Sequence, residues 1–270
     1  MKKWLLAAFL AVFAAAVPLN LSVPGTASAA SDVSWLNKEA VNRGLIAIRY
    51  DVKTGTKTKL MIAKQGAVYT YTLTGSGQAF PLQLGNGDYE VSLLEQADGT
   101  KYRQVKKDTV RVKLDDAQAV FLNSVQNVRW QPNGQASKLA AELTQGAKTE
   151  EAKAKAIYSY IIKKIKYDNA LAASVGTEYL PNPEQTLNTG KGICYDYASL
   201  YAAMLRSQGI PAKLVMGTSA YVKQYHAWNE VYLNGEWVTV DTTVDAGKSS
   251  ASAGKDFAKA ADKYKMSKVY

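Results

Sequence analysis

The sequence predicts two folded parts, an antiparallel β-sandwich over residues 35–126 and an α+β domain over residues 147–246, with a linker at 127–146 between them. Three observations carry that prediction. Apolar residues alternate with period two, between glycine turns, through the first part. The second part changes to helical spacing before returning to strands. The chain's one cysteine and one histidine both fall in the second part.

The N-terminus sets the compartment. Lys2 and Lys3 precede an apolar run of 14 residues from Trp4 to Val17, and Pro18 and Pro24 lead on to Ala27-Ser28-Ala29-Ala30. A positive start, a short apolar stretch and small residues at the end form a secretory signal peptide, expected over residues 1–30 with cleavage near 29 or 30. The run is short for a hydrocarbon core of about 30 Å, so no membrane-spanning segment is expected in the mature chain. No cysteine stands at the cleavage region, which argues against a lipid anchor. The expected location is secreted or associated with the cell envelope.

Formal charge is +10, and loss of Lys2 and Lys3 leaves about +8. An exported basic protein is attracted to anionic surfaces, and an anionic cell-wall polymer is a fitting partner. Lys and Arg are scattered, with no Arg-rich helix, so nucleic acid is not expected. No zinc spacing is present, and neither a metal nor a cofactor is expected.

Strands of the first part are expected at Leu45–Tyr50, Lys59–Ala63, Val68–Leu73, Tyr89–Leu94, Val110–Leu114 and Val120–Leu122. Thr54-Gly55, Gly75-Ser76-Gly77, Gly85-Asn86-Gly87 and Asp98-Gly99 supply turns between them. Short strands at this spacing read as a sandwich. It holds no convergent polar cluster, so its expected role is binding or positioning.

Pro132-Asn133-Gly134 is the clearest break in the linker. Thr149-Glu150-Glu151 then opens a helix whose apolar stripe is Ala156, Ile157, Tyr160 and Ile161. A polar loop with Pro181 and Pro183 leads to a second helix from about Ile193 to Gln208, ended by Gly209 and Pro211. Strands are expected at Ala212–Met216, Tyr225–Leu233 and Trp237–Val240. The tail, 247–270, reads as one short helix through Phe257, Ala260 and Tyr264, or as disorder.

A lone cysteine cannot form an internal disulfide, so Cys194 is either buried filler or retained for its chemistry. It sits in the first turn of the second helix, where partial positive charge favours a thiolate. It shares a face with Tyr197, which turns it toward the interior or a cleft. Asn234-Gly235 between two apolar runs is a two-residue hairpin signal. With that loop, paired positions sum to 469: His226 lies opposite Thr243, and Trp228 opposite Asp241. Asp241 is then a diagonal neighbour of His226 on the same face, about 7–8 Å away along the backbone. A carboxylate against one imidazole nitrogen leaves the other to take a thiol proton. Trp228 is a core or cleft-wall residue. The Cys194 backbone amide, with Asn188 or Tyr167, is a candidate donor to a developing oxyanion.

Four blocks resemble the bacterial transglutaminase-like domain: Gly192-Ile193-Cys194-Tyr195-Asp196-Tyr197, Gly209-Ile210-Pro211-Ala212-Lys213, His226-Ala227-Trp228-Asn229-Glu230-Val231 and Trp237-Val238-Thr239-Val240-Asp241. The resemblance covers about residues 145–245, with Lys213 where the family often has arginine. It implies a papain-like fold and a catalytic triad of Cys194, His226 and Asp241 that attacks a peptide or protein amide to form a thioester. Water then gives a protease or amidase, and a lysine amine gives a cross-link. The competing reading is a noncatalytic wall-binding module that keeps the triad as scaffold.

Overall fold

The alternation of the first part resolves into seven strands: β1 (Leu36–Asn37), β2 (Leu45–Ile48), β3 (Thr58–Lys64), β4 (Ala67–Leu73), β5 (Gln78–Pro81), β6 (Gly87–Asp98) and β7 (Lys101–Val112). The computed structural model describes residues 34–246, 248 and 257–270, so the expected signal peptide lies outside the described residues. The strands form two antiparallel sheets, ordered β1-β2-β5 and β4-β3-β6-β7. Successive side chains of a strand face opposite ways, so every second residue turns inward. Leu60, Ile62, Tyr71, Tyr89, Val91 and Leu93 of one sheet meet Leu36, Ile46, Ile48 and Phe80 of the other in a single buried cluster.

Two expectations for this region change. Residues 120–122 are not a strand but the end of a 3-10 turn over Ala117–Leu122, started by Asp116, whose carboxylate accepts the Gln118 amide at 2.8 Å. Val120 and Phe121 are adjacent and both buried, which a turn allows and an alternating strand does not. The expected linker at 127–146 contains helix α1 (Gln135–Leu143). Its buried stripe is Ala136, Ser137 and Ala140, small side chains that permit close packing but give little apolar pattern.

Helix α2 (Glu150–Lys164) starts where its cap predicts, with Thr149 Oγ1 accepting the Ala152 amide at 3.1 Å. After it come β8 (Lys166–Tyr167), α3 (Asn169–Ser174), α4 (Pro183–Thr189), β9 (Lys191–Gly192) and α5 (Cys194–Ser207). The loop expected around Pro183 is therefore largely helical, because Pro183 fits a first helical position and Asn182 caps it. The final elements are β10 (Ala212–Ser219), β11 (His226–Leu233), β12 (Glu236–Val240), α6 (Thr242–Ala246) and β13 (Tyr264–Val269). Strands β12-β11-β10-β13 form one antiparallel sheet.

Helix α5 is buried on every side from Asp196 to Arg206. It lies between the sheet and helices α1, α2 and α4, and its side chains are the middle of the second apolar cluster. Arg206 is buried too, donating to the carbonyls of Ala212, Asn123 and Tyr270, and burial lowers its pKa to about 9.

Where it is described, the tail is a 3-10 turn over Ala261–Lys263 that leads into β13, rather than one helix through Phe257, Ala260 and Tyr264. Phe257 packs edge-on against Tyr158 in the core, and β13 pairs with β10. Its alternation in Tyr264-Lys265-Met266 is too polar to stand out, and its pairing partner is 50 residues away in sequence. Ser34–Tyr270 is one compact unit. Val269 ties its two parts together, donating its amide to Tyr69 Oη at 3.1 Å and accepting from Gln83 Nε2 at 3.2 Å. Among the described residues, no helix is long and apolar enough to cross a membrane.

Candidate active site

Cys194 owes its place to the turn before it. Two parallel backbone bonds, Lys166 N to Gly190 O at 2.9 Å and Asp168 N to Gly192 O at 3.0 Å, hold β9 against β8. Gly192 has no side chain to spare: a Cβ there would sit 2.6 Å from the Cβ of Asp196. Asp196 reaches back to accept the Ile193 amide at 2.9 Å, and its other oxygen accepts from Tyr179 Oη at 2.7 Å. Burial raises the Asp196 carboxyl above its ordinary value against the pull of those bonds. Cys194 is thus fixed as the first residue of α5, partly exposed, among backbone amides that no helical carbonyl can satisfy.

His226 begins β11, opposite Gly217 of β10, and is 2% exposed. Its Nε2 lies 2.8 Å from Asp241 Oδ2, and the Cys194 thiol is close enough to its ring to act on its pKa. With Nε2 engaged, Nδ1 is the nitrogen left for the sulfur. Burial is the largest single influence and lowers the imidazole pKa, but the combined hydrogen bonds and charges of Asp241 and Cys194 overcome it and raise the value to about 9.

Asp241 arrives by a different route from the expected one. The hairpin turn is as its sequence demands, with φ of 53° at Asn234 and 91° at Gly235. Register follows from Leu233↔Glu236 to Asn229↔Val240. The ladder stops there. Thr243 is in α6 rather than opposite His226, and Asp241 caps that helix, Oδ1 accepting the Val244 amide at 3.0 Å. Capping holds the fully buried carboxylate at the end of β12, where Oδ2 meets His226 and also accepts from Tyr264 Oη at 2.9 Å.

Cys194 and His226 open into a cleft of about 760 Å³. Tyr167, Tyr221 and Tyr225 line it and are among the most exposed large side chains of the described residues. Tyr167 is carried there by β8, whose pairing sets it beside Gly192, and burial and the nearby Cys194 raise its pKa. Trp228 does not line the cleft. It is buried behind the imidazole, the rings stacked with centroids 6.3 Å apart. Asn188 is exposed on α4 and is not part of the cleft, so the candidate oxyanion role does not suit it. A second cleft, about 540 Å³, contains Asp168, Tyr179 and Asp196 but neither Cys194 nor His226. Among the described residues, no cluster of histidine, cysteine and acidic side chains could hold a metal ion.

Sequence reasoning overlooked Tyr264, Tyr221 and Tyr225. The latter two lie in the loop between β10 and β11, Tyr225 just before the strand whose start the sequence puts one residue too early. Only the alternation within β13 could have pointed to Tyr264.

A partly exposed thiol, an imidazole and a buried carboxylate in series at a cleft can deprotonate the thiol and hold the resulting cation. Parts of this chain are similar to known proteins. Human Kyphoscoliosis peptidase is 33% identical over 120 residues, which is 41% of this chain and 18% of that protein. The mouse protein is 30% identical over 129 residues, 44% of this chain and 19% of its own length. The chain therefore spans about a fifth of the curated relatives it matches. Among solved structures, a candidate cysteine protease from Cytophaga hutchinsonii superposes with a TM-score of 0.43 at 18% identity, covering 74% of this chain and 70% of that one. Red sea bream transglutaminase gives a TM-score of 0.33 at 13% identity, over 74% and 48% of the two chains. Residues 137–242 match the family profile of the Transglutaminase-like superfamily, and the matched span is built on the sheet that holds β10, β11 and β12.

Proposed function

We propose that the chain is an exported thiol enzyme that attacks peptide or protein amides through Cys194, His226 and Asp241. One observation carries this reading: a thiol and an imidazole that line the same cleft, the imidazole held 2.8 Å from a buried carboxylate. In the proposed cycle the Cys194 thiolate attacks the amide carbon. His226 gives its proton to the leaving nitrogen, the C–N bond breaks, and a thioester remains. Water or an amine then attacks that carbon, returns a proton to His226 and expels the thiolate. The Cys194 backbone amide and the Tyr167 hydroxyl are the proposed donors to the oxyanion. The tyrosine rim suits an extended peptide, since tyrosine offers apolar area and a polar tip together.

Export, through the signal peptide read at residues 1–30, belongs to the same proposal, as does an anionic cell-wall polymer as a neighbour of the basic mature chain. The two sheets of residues 35–126 act in this reading as a β-sandwich that braces β13 rather than as a second active centre.

Mass spectrometry of a glutamine-containing peptide, incubated with and without a primary amine, tests the reading. Backbone cleavage, side-chain deamidation and amine incorporation each identify one second nucleophile. No product under any condition, with cell-wall binding retained by Cys194→Ala, favours the noncatalytic module.

A further inference from the structure

The carboxylate at the back of the site has a third partner, and it comes from beyond residue 242, where the family match ends. Tyr264, the first residue of β13, donates its hydroxyl at 2.9 Å to Asp241 Oδ2, the same oxygen that faces His226. We propose that Tyr264 is a positioning residue that orients Asp241 for His226, a proposal that rests on the thiol-enzyme reading above.

Several features converge on this contact. Asp241 is held on Oδ1 by the Val244 amide and on Oδ2 by Tyr264, so each oxygen has an anchor independent of the imidazole. Two anchors on different oxygens fix the carboxylate's rotation, which one alone cannot. β13 is also shaped for the task. Its register against β10 shifts between Met216 and Gly217, leaving Ser267 as an extra residue. A one-residue shift turns every later side chain to the opposite face. Beyond the bulge Tyr264 lies opposite Ser219.

Gly217 permits the approach. A Cβ there would lie 2.1 Å from the Lys265 carbonyl oxygen and 3.0 Å from the Trp228 ring. The Tyr264 ring then packs on Trp228, centroids 5.0 Å apart, and on Tyr221 at 5.6 Å. At its other end β13 is pinned to the N-terminal sheets through Tyr69 and Gln83. The titratable groups that act on His226 are Asp241 and, from α5, Cys194; those that act on Tyr264 are Asp241, Tyr221 from the β10–β11 loop and Asp245 from α6. Burial, with Asp241 and the other neighbours, drives the Tyr264 hydroxyl far above its ordinary value, which keeps it a donor.

His226 is the single histidine of the chain, so its imidazole proton signal reports the site without ambiguity in an NMR titration of the untagged full chain. Tyr264→Phe removes one oxygen and keeps the ring contacts. Loss of this anchor lets the carboxylate turn away from the imidazole, so the His226 midpoint is expected to move down from about 9 toward 6.5. The rate of Cys194 alkylation is expected to fall roughly tenfold, the scale of one hydrogen bond to a charged group. In an Asp241→Asn background, Tyr264→Phe is expected to add no further change, because it acts through that carboxylate. Gly217→Ala, which pushes β13 away, is expected to shift the midpoint in the same sense. An unchanged or raised midpoint in Tyr264→Phe, or an equal further shift in the Asp241→Asn background, would overturn the proposal. A parent protein that turns over no amide, but whose His226 signal still moves on Tyr264→Phe, upholds the positioning contact and removes the thiol-enzyme reading instead.

Discussion

At the scale of single residues, the site depends on a proton held between Cys194 and Asp241. The His226 pKa rises from an ordinary 6.5 to about 9, so the folded state binds this proton more tightly than the unfolded chain. The stabilisation is complete below about 6.5 and is lost as pH climbs through about 9. Thermal unfolding of the parent across that window should therefore fall more steeply with pH than that of His226→Gln, and parallel curves would contradict the assignment. Asp241→Asn tests the carboxylate. It keeps the size and the cap geometry but removes the charge, so turnover should drop on the order of 10²–10⁴-fold. The His226 midpoint should fall back toward 6.5. Much at this scale was legible in the sequence. One cysteine, one histidine and a hairpin of known register point to Cys194, His226 and Asp241 before any coordinates. Yet the parity argument reaches Asp241 by the wrong path: it treats the carboxylate as a strand residue, whereas it is a helix cap. Asp241 shows no cap signature of its own, because the same Asp-Thr-Thr run also continues a strand pattern.

At the scale of elements, α5 places Cys194, the proposed nucleophile, and is itself placed by Gly192 and Asp196. Gly192→Ala would set a methyl group 2.6 Å from the Asp196 Cβ, and the start of the helix must move to relieve it. A stability loss of about 1–3 kcal/mol is expected from such crowding, with slower Cys194 alkylation, read by chemical denaturation and timed labelling. Retained labelling at parental stability would show that the turn has slack the geometry denies. On the opposite side of the same core, Ile157→Ala on α2 should cost about 2–5 kcal/mol while leaving the pH dependence of labelling intact. Long apolar stripes and strong turns gave these elements away: Thr149 caps α2, and Asn234-Gly235 turns β11 into β12. Helices α1 and α4 were hidden for the opposite reason. The buried side of α1 is alanine and serine, and α4 starts on a proline that also reads as loop.

Across the whole molecule, the site draws on chain segments far apart in sequence. Tyr69 and Gln83 hold Val269, β13 carries Tyr264, and Tyr264 meets Asp241. Ser34–Tyr270 being one compact unit, heat should unfold the N-terminal sheets and the cysteine-bearing part together, seen as one calorimetric transition whose van't Hoff and calorimetric enthalpies agree. Two separated transitions would instead restore the two independent parts that the change of sequence period suggests. That change of period is real, since apolar residues form one cluster in each part. What periodicity does not encode is pairing between distant strands, and β13 is found only through its partner β10.

The most direct test of the thiol account is pulse alkylation of Cys194, the chain's single cysteine, with iodoacetamide across pH and read by intact mass. The folded parent should label rapidly at neutral pH, and His226→Ala should label far more slowly. A thiol that reacts only after unfolding, or at the same rate without His226, would contradict it.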